Sequence, residues 1–225
     1  TPDGRVFYYA KNSSSAITPA GKIVDGVAAV AAQDMDLAAT AAQSVGDTTI
    51  SIEVPTTDLT KDQYKDGYLI CNDGPGQGEV YRIKSHPAHD ASDDNTVIIT
   101  LDEADGIRTA LTTSSLFGLV SNPYTDVKII DGDGTMTTGP LGVNVIPVTA
   151  SYYCWIQTAG IASVLSGAAV AVVGDAIGVS QASGESGAFD LWDASSEEDT
   201  RPIGHAMGIA SVDTDNQIVM LAICN

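Results

Sequence analysis

The segment Thr49-Ile50-Ser51-Ile52-Glu53-Val54 alternates polar and apolar residues without a break. Because successive side chains of a β-strand point to opposite faces, this period of two predicts a strand with one buried and one solvated face. Residues 79–84 alternate in the same way. β-Branched residues, which suit a pleated backbone, dominate three further segments at 96–101, 127–130 and 217–223. The dominant pattern therefore predicts an all-β protein.

Turn-forming residues separate the predicted strands along the whole chain, which has 22 glycines and 9 prolines. The clearest turn segments combine Gly with Asn or Asp: 72–76, 131–134, 173–175 and 213–216. Helix signals are confined to the alanine-rich residues 27–42 and to residues 60–64, where Thr60 and Gln63 have the spacing of a capping box. We therefore expect a mainly β fold with at most one or two short helices.

A boundary between two domains is predicted near residues 122–124, where the spacing of the strand signals changes. Residues 1–125 are expected to form a β-rich N-terminal domain, and residues 126–225 a compact β-barrel or sandwich. The short strands predicted for the second domain are 143–148, 152–159, 161–165, 169–173, 176–180, 203–211 and 217–223. Residues 183–201 interrupt this series and are expected to be an exposed acidic loop.

The charge of the chain limits its partners. It has 29 acidic and 10 basic residues, hence a formal net charge of −19, and Lys and Arg form no local cluster. Such a field repels the phosphates of DNA and RNA, so we expect no nucleic-acid partner. The most apolar stretch, residues 168–179, is too short and too interrupted by Gly174 and Asp175 to span a membrane, so no membrane partner is expected.

The three cysteines, Cys71, Cys154 and Cys224, lie far apart in apolar, strand-like segments. Each is expected to be a buried free thiol, the alternative being a single disulfide with one thiol left over. The spacing is unlike that of a small secreted domain held together by disulfides.

Three motifs that resemble ligand sites are better explained as turns or loops. The glycine-rich segment 74–78 is followed by a strand pattern, whereas a phosphate-binding loop leads into a helix. Residues 131–134 begin like a calcium loop, but the later positions lack the required glycine and glutamate. His86 and His89 lack the further ligands of a structural zinc site and are expected in a solvated loop. We therefore expect no metal and no cofactor.

Catalytic signatures are missing from the sequence as well. No Gly-x-Ser-x-Gly motif occurs, and no histidine stands in a context that indicates pairing with a serine or cysteine nucleophile. Pairs of carboxylates carry no information, because 29 acidic residues always supply some pair. We expect no catalytic residues, and hence a protein that is not an enzyme.

Aromatic residues are the main candidates for an interaction site. Arg5, Phe7, Tyr8 and Tyr9 lie near the start of the chain, where residues 1–10 could form an extended arm that adds a strand to a neighbouring protein. In that case, removing residues 1–10 should weaken attachment without unfolding the core. The alternative is an ordinary first strand of the protein's own sheet.

A second pair of candidates, Phe189 and Trp192, lies in the predicted acidic loop. Aromatic side chains are enriched at protein interfaces, and an exposed one in a charged loop is unusual. Tyr152, Tyr153 and Trp155 are interpreted instead as core and strand-surface packing residues rather than as an anchor.

Several short segments of the chain resemble segments of one family of virion proteins. They are residues 4–10, 66–73, 108–115, 153–158 and 202–210. The order of Val173-Gly174-Asp175, an acidic loop and Ile203-Gly204-His205-Ala206 is similar to the C-terminal part of a widespread group within it. The chain thus resembles the capsid decoration, or cement, proteins of tailed bacteriophages.

This resemblance implies a β-rich structural protein without a cofactor. Such a protein binds the outer surface of an assembled phage capsid and stabilises contacts between capsomers. Its expected partners are the major capsid protein and further copies of itself in a homotrimer. The expected location is the virion exterior, after assembly in the host cytoplasm. Three alternatives stay open: a phage tail, baseplate or fibre component, a carbohydrate-binding β module, and an enzyme such as a depolymerase, which would leave product on polysaccharide, though we expect none.

Overall fold

The structure, a computed structural model, describes residues 3–92, 96–102, 104, 106–132, 136–167, 171–192, 202–208 and 215–223. Within these residues it contains 15 β-strands and no helix, which confirms the predicted all-β class. The strands are β1 (Val6–Lys11), β2 (Ile23–Asp25), β3 (Leu37–Ala38), β4 (Thr49–Glu53), β5 (Tyr68–Asp73), β6 (Val80–Ser85), β7 (Thr96–Leu101), β8 (Leu116–Val120), β9 (Lys128–Ile129), β10 (Gly142–Asn144), β11 (Tyr153–Leu165), β12 (Ala176–Val179), β13 (Phe189–Leu191), β14 (Gly204–Ala206) and β15 (Asn216–Ala222). The described part of the chain contains no helix that is long and apolar enough to cross a membrane.

The chain forms two compact units. Residues 1–28 and 123–225 together make up the first, called here the discontinuous unit, and residues 29–122 make up the inserted unit. The sequence had assigned residues 1–28 to an N-terminal domain ending at residue 125. The structure instead groups them with the C-terminal residues, because β1 pairs with β11 and β2 pairs with β10.

The discontinuous unit is built on a nine-stranded sheet with the order β13-β12-β14-β15-β11-β10-β2-β9, and β1 also pairs with β11. Its longest strand, β11, was predicted as two strands, 152–159 and 161–165. The strand runs on through Gly160, which has a φ of +84°. A Cβ atom on this glycine would lie 2.9 Å from the Cα atom of Arg5, so both the backbone angle and the space favour glycine here.

Two clusters of buried apolar residues stabilise the discontinuous unit. The first is formed mainly by the strands around β15 and includes Val164, Ile177, Phe189, Ile203, Val219 and Leu221. The second includes Ala10, Ile17, Val24, Val127, Cys154 and Ile156. Because β1 supplies Ala10 to the second cluster, the first strand belongs to the core of this unit.

The inserted unit has a six-stranded antiparallel sheet with the order β3-β8-β5-β6-β7-β4. Its β4 strand follows the predicted alternation, with Ile50 and Ile52 fully buried and Thr49 exposed. Both isoleucines belong to a single apolar cluster whose largest members are Tyr64, Tyr81 and Phe117. The period of two therefore separates the core face of this strand from its outer face.

The two segments with helix signals form other structures. Residues 27–42 contain turns and the short strand β3. In the turn that follows Thr60, the Thr60 N–H donates to Gln63 Oε1 at 3.1 Å, as in one half of a capping box. However, Asp62 has a φ of +59°, and this left-handed conformation prevents a right-handed helix from continuing.

The carboxylate of Asp25, at the end of β2, is fully buried in the discontinuous unit. It accepts hydrogen bonds from the N–H groups of Gly26 (2.7 Å), Thr137 (2.5 Å) and Thr138 (2.9 Å), and from both threonine hydroxyls (2.8 and 2.6 Å). Burial alone would raise the pKa of this carboxyl, but these donors outweigh it and lower the pKa below its ordinary value. Asp25 thereby anchors the 137–138 turn to β2.

Candidate interaction surface

An exposed aromatic surface covers the outer face of the β1–β11 pair. Tyr9 lies opposite Trp155 and Lys11 lies opposite Tyr153 in the antiparallel register. The exposed fractions are 55% for Tyr9, 55% for Trp155 and 62% for Tyr153. Phe7, two residues before Tyr9, shares this side of β1. We call Phe7, Tyr9, Tyr153 and Trp155 the aromatic face.

The rings of the aromatic face support one another. Tyr9 and Tyr153 are stacked, with ring centroids 5.3 Å apart and planes within 2° of parallel. Tyr9 also meets Trp155 in a tilted arrangement, at 5.1 Å and 57°. Aromatic pairs of this kind contribute about 0.5–1.5 kcal/mol beyond their buried area. The rings are therefore held in place while more than half of each of these three side chains stays open to solvent.

A cavity of about 410 Å³ lies against Phe7 and Trp155 at one end of the aromatic face. The Arg5 guanidinium carbon stands 5.6 Å from the centre of the Phe7 ring, and Arg5 Nε is 2.5 Å from Asp3 Oδ2. The structure therefore brings together three of the predicted N-terminal residues, Arg5, Phe7 and Tyr9.

Tyr8, the fourth predicted N-terminal residue, points to the other face of β1. Its ring stacks on Tyr124 at 5.0 Å and 7°. The neighbouring side chains on this face, Ala10, Cys154 and Ile156, are buried. These contacts match the alternative in which residues 6–11 are a strand of the protein's own sheet rather than a free arm.

The apolar surface continues along β11 beyond the aromatic face. A second cavity of about 410 Å³ has apolar and polar lining residues: Arg5, Val145, Gln157, Ile161, Ser163, Asn216 and Ile218 among others. Ile161 and Ile218 are each about half exposed, at 49% and 55%. Arg5 borders this cavity and also lies over Phe7, so the cavity and the aromatic face adjoin.

Phe189, predicted as an interaction residue, is a core residue. Its side chain is fully buried, and it pairs with Val179 in the β12–β13 ladder. The surrounding carboxylates made this segment look like an exposed loop, but β13 lies within the range 183–201. The prediction for Phe189 is corrected accordingly.

Trp192, the other loop candidate, is half-buried. Its backbone N–H donates to the Ala176 carbonyl at 3.0 Å, and its ring Cδ1 lies 3.3 Å from the position a Cβ atom would take on Gly178. Trp192 therefore packs over β12, which leaves less of it available as an anchor than the prediction assumed. Residues 193–201 of the predicted loop lie outside the described residues.

Tyr153 and Trp155 were expected in core or strand-surface packing. They lie on the strand surface, where each contacts Tyr9, and they are more than half exposed rather than part of the core. The alternation of residues in this strand could have predicted their exposure. Cys154 and Ile156 are the apolar alternates of the same strand, and their burial turns Tyr153 and Trp155 outward. Tyr152, which was assigned to packing with them, is 66% exposed.

His86 and His89 are buried, which corrects the prediction of a solvated loop. The Tyr64 N–H donates to His86 Nε2 at 3.0 Å, and His86 Nδ1 lies 2.8 Å from the Pro87 carbonyl oxygen. His89 Nε2 lies 2.8 Å from the Val54 carbonyl oxygen. Both rings thus bridge backbone segments of the inserted unit. Among the described residues, no three His, Cys, Asp or Glu side chains are grouped as a metal site would require.

The cysteines that the structure describes, Cys71 and Cys154, are buried free thiols as predicted. Burial raises the pKa of both thiols, which keeps them protonated and unreactive at neutral pH. Cys224 lies outside the described residues.

A cluster of polar side chains around Tyr81 fastens β6 to residues 108–109. The Tyr81 hydroxyl donates to Glu79, which also accepts a 2.7 Å hydrogen bond from the Thr109 hydroxyl. Burial, together with the bond to Glu79, raises the pKa of Tyr81 to about 12. The Arg108 guanidinium lies over the Tyr81 ring, 4.6 Å from its centre. The tyrosine is thus held neutral as a donor, which is a structural role.

Comparisons of the chain with protein-family models, with curated protein sequences and with solved structures found no match. Function therefore has to be inferred from the aromatic face and from the pattern of the sequence.

Proposed function

We propose that this chain is a structural virion protein that binds the outer surface of an assembled phage capsid and stabilises contacts between capsomers. The observation that carries the proposal is the aromatic face, a set of partly exposed rings on the paired strands β1 and β11. Exposed aromatic clusters of this kind are typical anchors of protein interfaces. The resemblance of the short segments to those of decoration proteins is the reason for choosing the major capsid protein as the partner.

The aromatic face offers a substantial source of binding energy. Covering these four rings, of which Phe7 is the least exposed, removes on the order of 400 Å² of apolar surface from water, a gross gain of about 10 kcal/mol before the costs of association. A protein that binds only the assembled shell stabilises that shell by mass action. The aromatic face can thus supply part of the binding energy, and further contacts have to complete the interface.

The remaining features of the proposal follow from the family resemblance and the charge. The protein acts as a homotrimer on the virion exterior, having joined the shell in the host cytoplasm. The net charge of −19 suits an outward-facing protein present at high copy number, since like-charged copies resist aggregation. The proposal assigns no catalytic residue, cofactor or metal to the chain.

Quantitative mass spectrometry of virions purified from the source tests this proposal. The ratio of this chain to the major shell protein should be near one or a simple fraction such as one third. A few copies per particle would indicate instead a tail, baseplate or fibre component. Absence from the virion would overturn the proposal.

One observation favours a second candidate, a carbohydrate-binding module, because such modules need exposed aromatic rings on one face. Tyr9, Tyr153 and Trp155 meet this requirement. A glycan array with the purified protein tests the alternative, with the Trp155→Ala variant as the control. Sugar binding that Trp155→Ala abolishes, together with absence from virions, would favour the module over the decoration protein.

A further inference from the structure

Four neighbouring strands of the discontinuous unit contain no charged residue. They are β12, β14, β15 and β11, which lie side by side in the sheet, and none of their residues is Asp, Glu, Lys or Arg. In the whole chain, 17% of the residues are charged. Because alternate residues of each strand point away from the core, the outward side of these strands is uncharged in a protein with a net charge of −19.

The outward side chains of three of these strands form one continuous surface. Ile161 of β11 lies opposite Met220 of β15, which in turn lies opposite His205 of β14. In the next row, the Ile218 carbonyl accepts the N–H of the exposed Met207 at 2.9 Å. We call the following six residues the uncharged face: Ile161, Ser163, His205, Met207, Ile218 and Met220.

Charged groups lie around the uncharged face rather than on it. Asp175 directly precedes β12, and Asp215 directly precedes β15. Arg5 borders the cavity beside Ile218, and its Nε pairs with Asp3 Oδ2 at 2.5 Å. An uncharged centre with a polar rim is typical of contacts between protein subunits.

The outer face of the inserted unit has a different composition. Its exposed Tyr68 lies opposite Arg82, which pairs with Asp66 at 3.3 Å. Lys84 is exposed on the same strand as Arg82. Exposed apolar residues of the inserted unit are therefore mixed with charges, and the lack of charge is specific to the uncharged face.

We propose that another copy of this chain occupies the uncharged face, so that the copies of the homotrimer meet there. The inference rests on the proposed function for the existence of the assembly, and it adds the surface of contact. The aromatic face is left for the capsid. Trp155 lies six residues before Ile161 on β11, which is about 20 Å along the strand.

The charge of the chain determines which occupant fits. Copies with a net charge of −19 repel one another wherever their carboxylates meet, so they can pack closely only through a surface that presents none. A basic protein attracted by this charge would instead bind where the carboxylates are. The depletion of charge is also stronger in contacts between identical chains than in other interfaces. These arguments favour a second copy over a separate partner.

The uncharged face is large enough to form the centre of such a contact. Three strands spaced about 4.8 Å apart cover about 14 Å, and the seven residues of β15 extend for about 24 Å. A stable interface takes about 800 Å² of accessible surface from each partner. The uncharged face therefore supplies the apolar centre, and the surrounding polar residues supply the rest.

Sedimentation equilibrium of the unmodified full chain and of three variants tests the inference. Ile218→Asp and Ile218→Lys should each weaken association on the order of a hundredfold, because a contact that excludes water disfavours a charge of either sign. Ile98→Asp is the matched control and should associate like the unmodified chain. Ile98 is also about half exposed, but it lies on β7 of the inserted unit.

Thermal unfolding shows whether each variant is folded. Ile218 is half exposed, so neither substitution places a charge in the core. If an Ile218 variant lacks a thermal transition, the same pair of substitutions at Ile161 takes its place, since Ile161 is exposed on the same face.

Salt provides an independent measurement. Raising the NaCl concentration from about 50 to about 500 mM should strengthen association roughly tenfold. Salt screens the repulsion between the acidic copies, and a contact without charged residues has no ion pair to lose. A contact held together by ion pairs would weaken instead.

The inference is overturned if the unmodified chain is monomeric up to about 100 μM, since a separate partner would then have to cover the uncharged face. It is overturned too if the Ile218 variants associate normally, if only the Asp variant dissociates, if Ile98→Asp dissociates the assembly equally, or if salt weakens it. None of these results determines the copy number in virions, so failure here is distinct from failure of the proposed attachment to the capsid.

Discussion

Tyr9 and Tyr153 stack with their rings 5.3 Å apart and their planes within 2° of parallel, although they stand far apart in the sequence. The contact lies on the protein surface and connects β1 with β11, the longest strand. Each ring supports the other while both remain more than half exposed. This arrangement keeps an apolar surface exposed to solvent while its rings stay in contact with one another.

Trp155→Ala and Tyr9→Ala should each reduce the binding of the protein to phage heads that lack it, measured by co-sedimentation. Because both side chains are about half exposed, the free energy of unfolding should fall by only about 1 kcal/mol. Tyr68→Ala is the matched control, since Tyr68 is a comparably exposed strand tyrosine of the inserted unit, at 42%. Equal binding by all three variants would mean that the aromatic face does not contribute to capsid binding.

Phe189→Ala should lower the free energy of unfolding by about 3–5 kcal/mol, because it leaves a cavity in the apolar cluster of the discontinuous unit. Phe7→Ala should cost much less, since Phe7 is only half-buried. Urea unfolding of the two variants measures the difference. If both variants lose only a little stability, Phe189 is not a core residue.

Removing residues 1–10 should destabilise the discontinuous unit, contrary to what a free arm predicts. The deletion takes away most of β1 and exposes Cys154 and Ile156, at a cost on the order of 3 kcal/mol. Removing residues 1–4 only, which precede β1, is the control. If circular dichroism and urea unfolding show equal stability for both truncations, β1 is not part of the core.

Asp25 should make the stability of the protein depend on acid pH. Its pKa is lowered in the folded state, so its contribution is present above the unfolded-state pKa and is lost as the pH falls through the folded-state value. Stability should therefore decline below about pH 4. Asp25→Asn should lose about 2 kcal/mol at neutral pH and show a shallower acid dependence. An unchanged acid slope in urea titrations from pH 7 to pH 2.5 would contradict this.

Gly160→Ala should destabilise the protein by about 2 kcal/mol, because alanine disfavours a positive φ and its Cβ would crowd Arg5. The Gly139→Ala variant measures the cost of the positive φ alone. Gly139 has a φ of +92° and open space around its Cβ position, so its substitution should cost only about 1 kcal/mol. Equal losses in thermal unfolding would mean that the contact with Arg5 adds nothing.

Local patterns of polar and apolar residues were sufficient to predict the all-β class of the fold. The alternation of residues 49–54 gives β4 with the correct buried face, because a strand with one face in the core must repeat every two residues. The two-unit organisation could not be found in this way. It depends on β1 and β2 pairing with strands more than a hundred residues away, and no local period encodes such a partner.

The sequence predicted part of the aromatic face. Phe7 and Tyr9 were chosen because they cluster near the start of the chain, but Tyr153 and Trp155 join them only through the β1–β11 register. Phe189 was misassigned because its acidic neighbours suggested a loop. Its burial results from pairing with Val179, a contact that composition alone does not reveal.

The discontinuous unit has a consequence for the order in which the protein can form during synthesis. All strands of the inserted unit have left the ribosome once residue 122 has emerged, whereas β1 cannot pair until β11 has been made, more than 140 residues later. Domains generally fold as units as they emerge, and long-range pairings form late. The nascent chain therefore carries β1, with Phe7, Tyr8 and Tyr9, unpaired until β11 has been made.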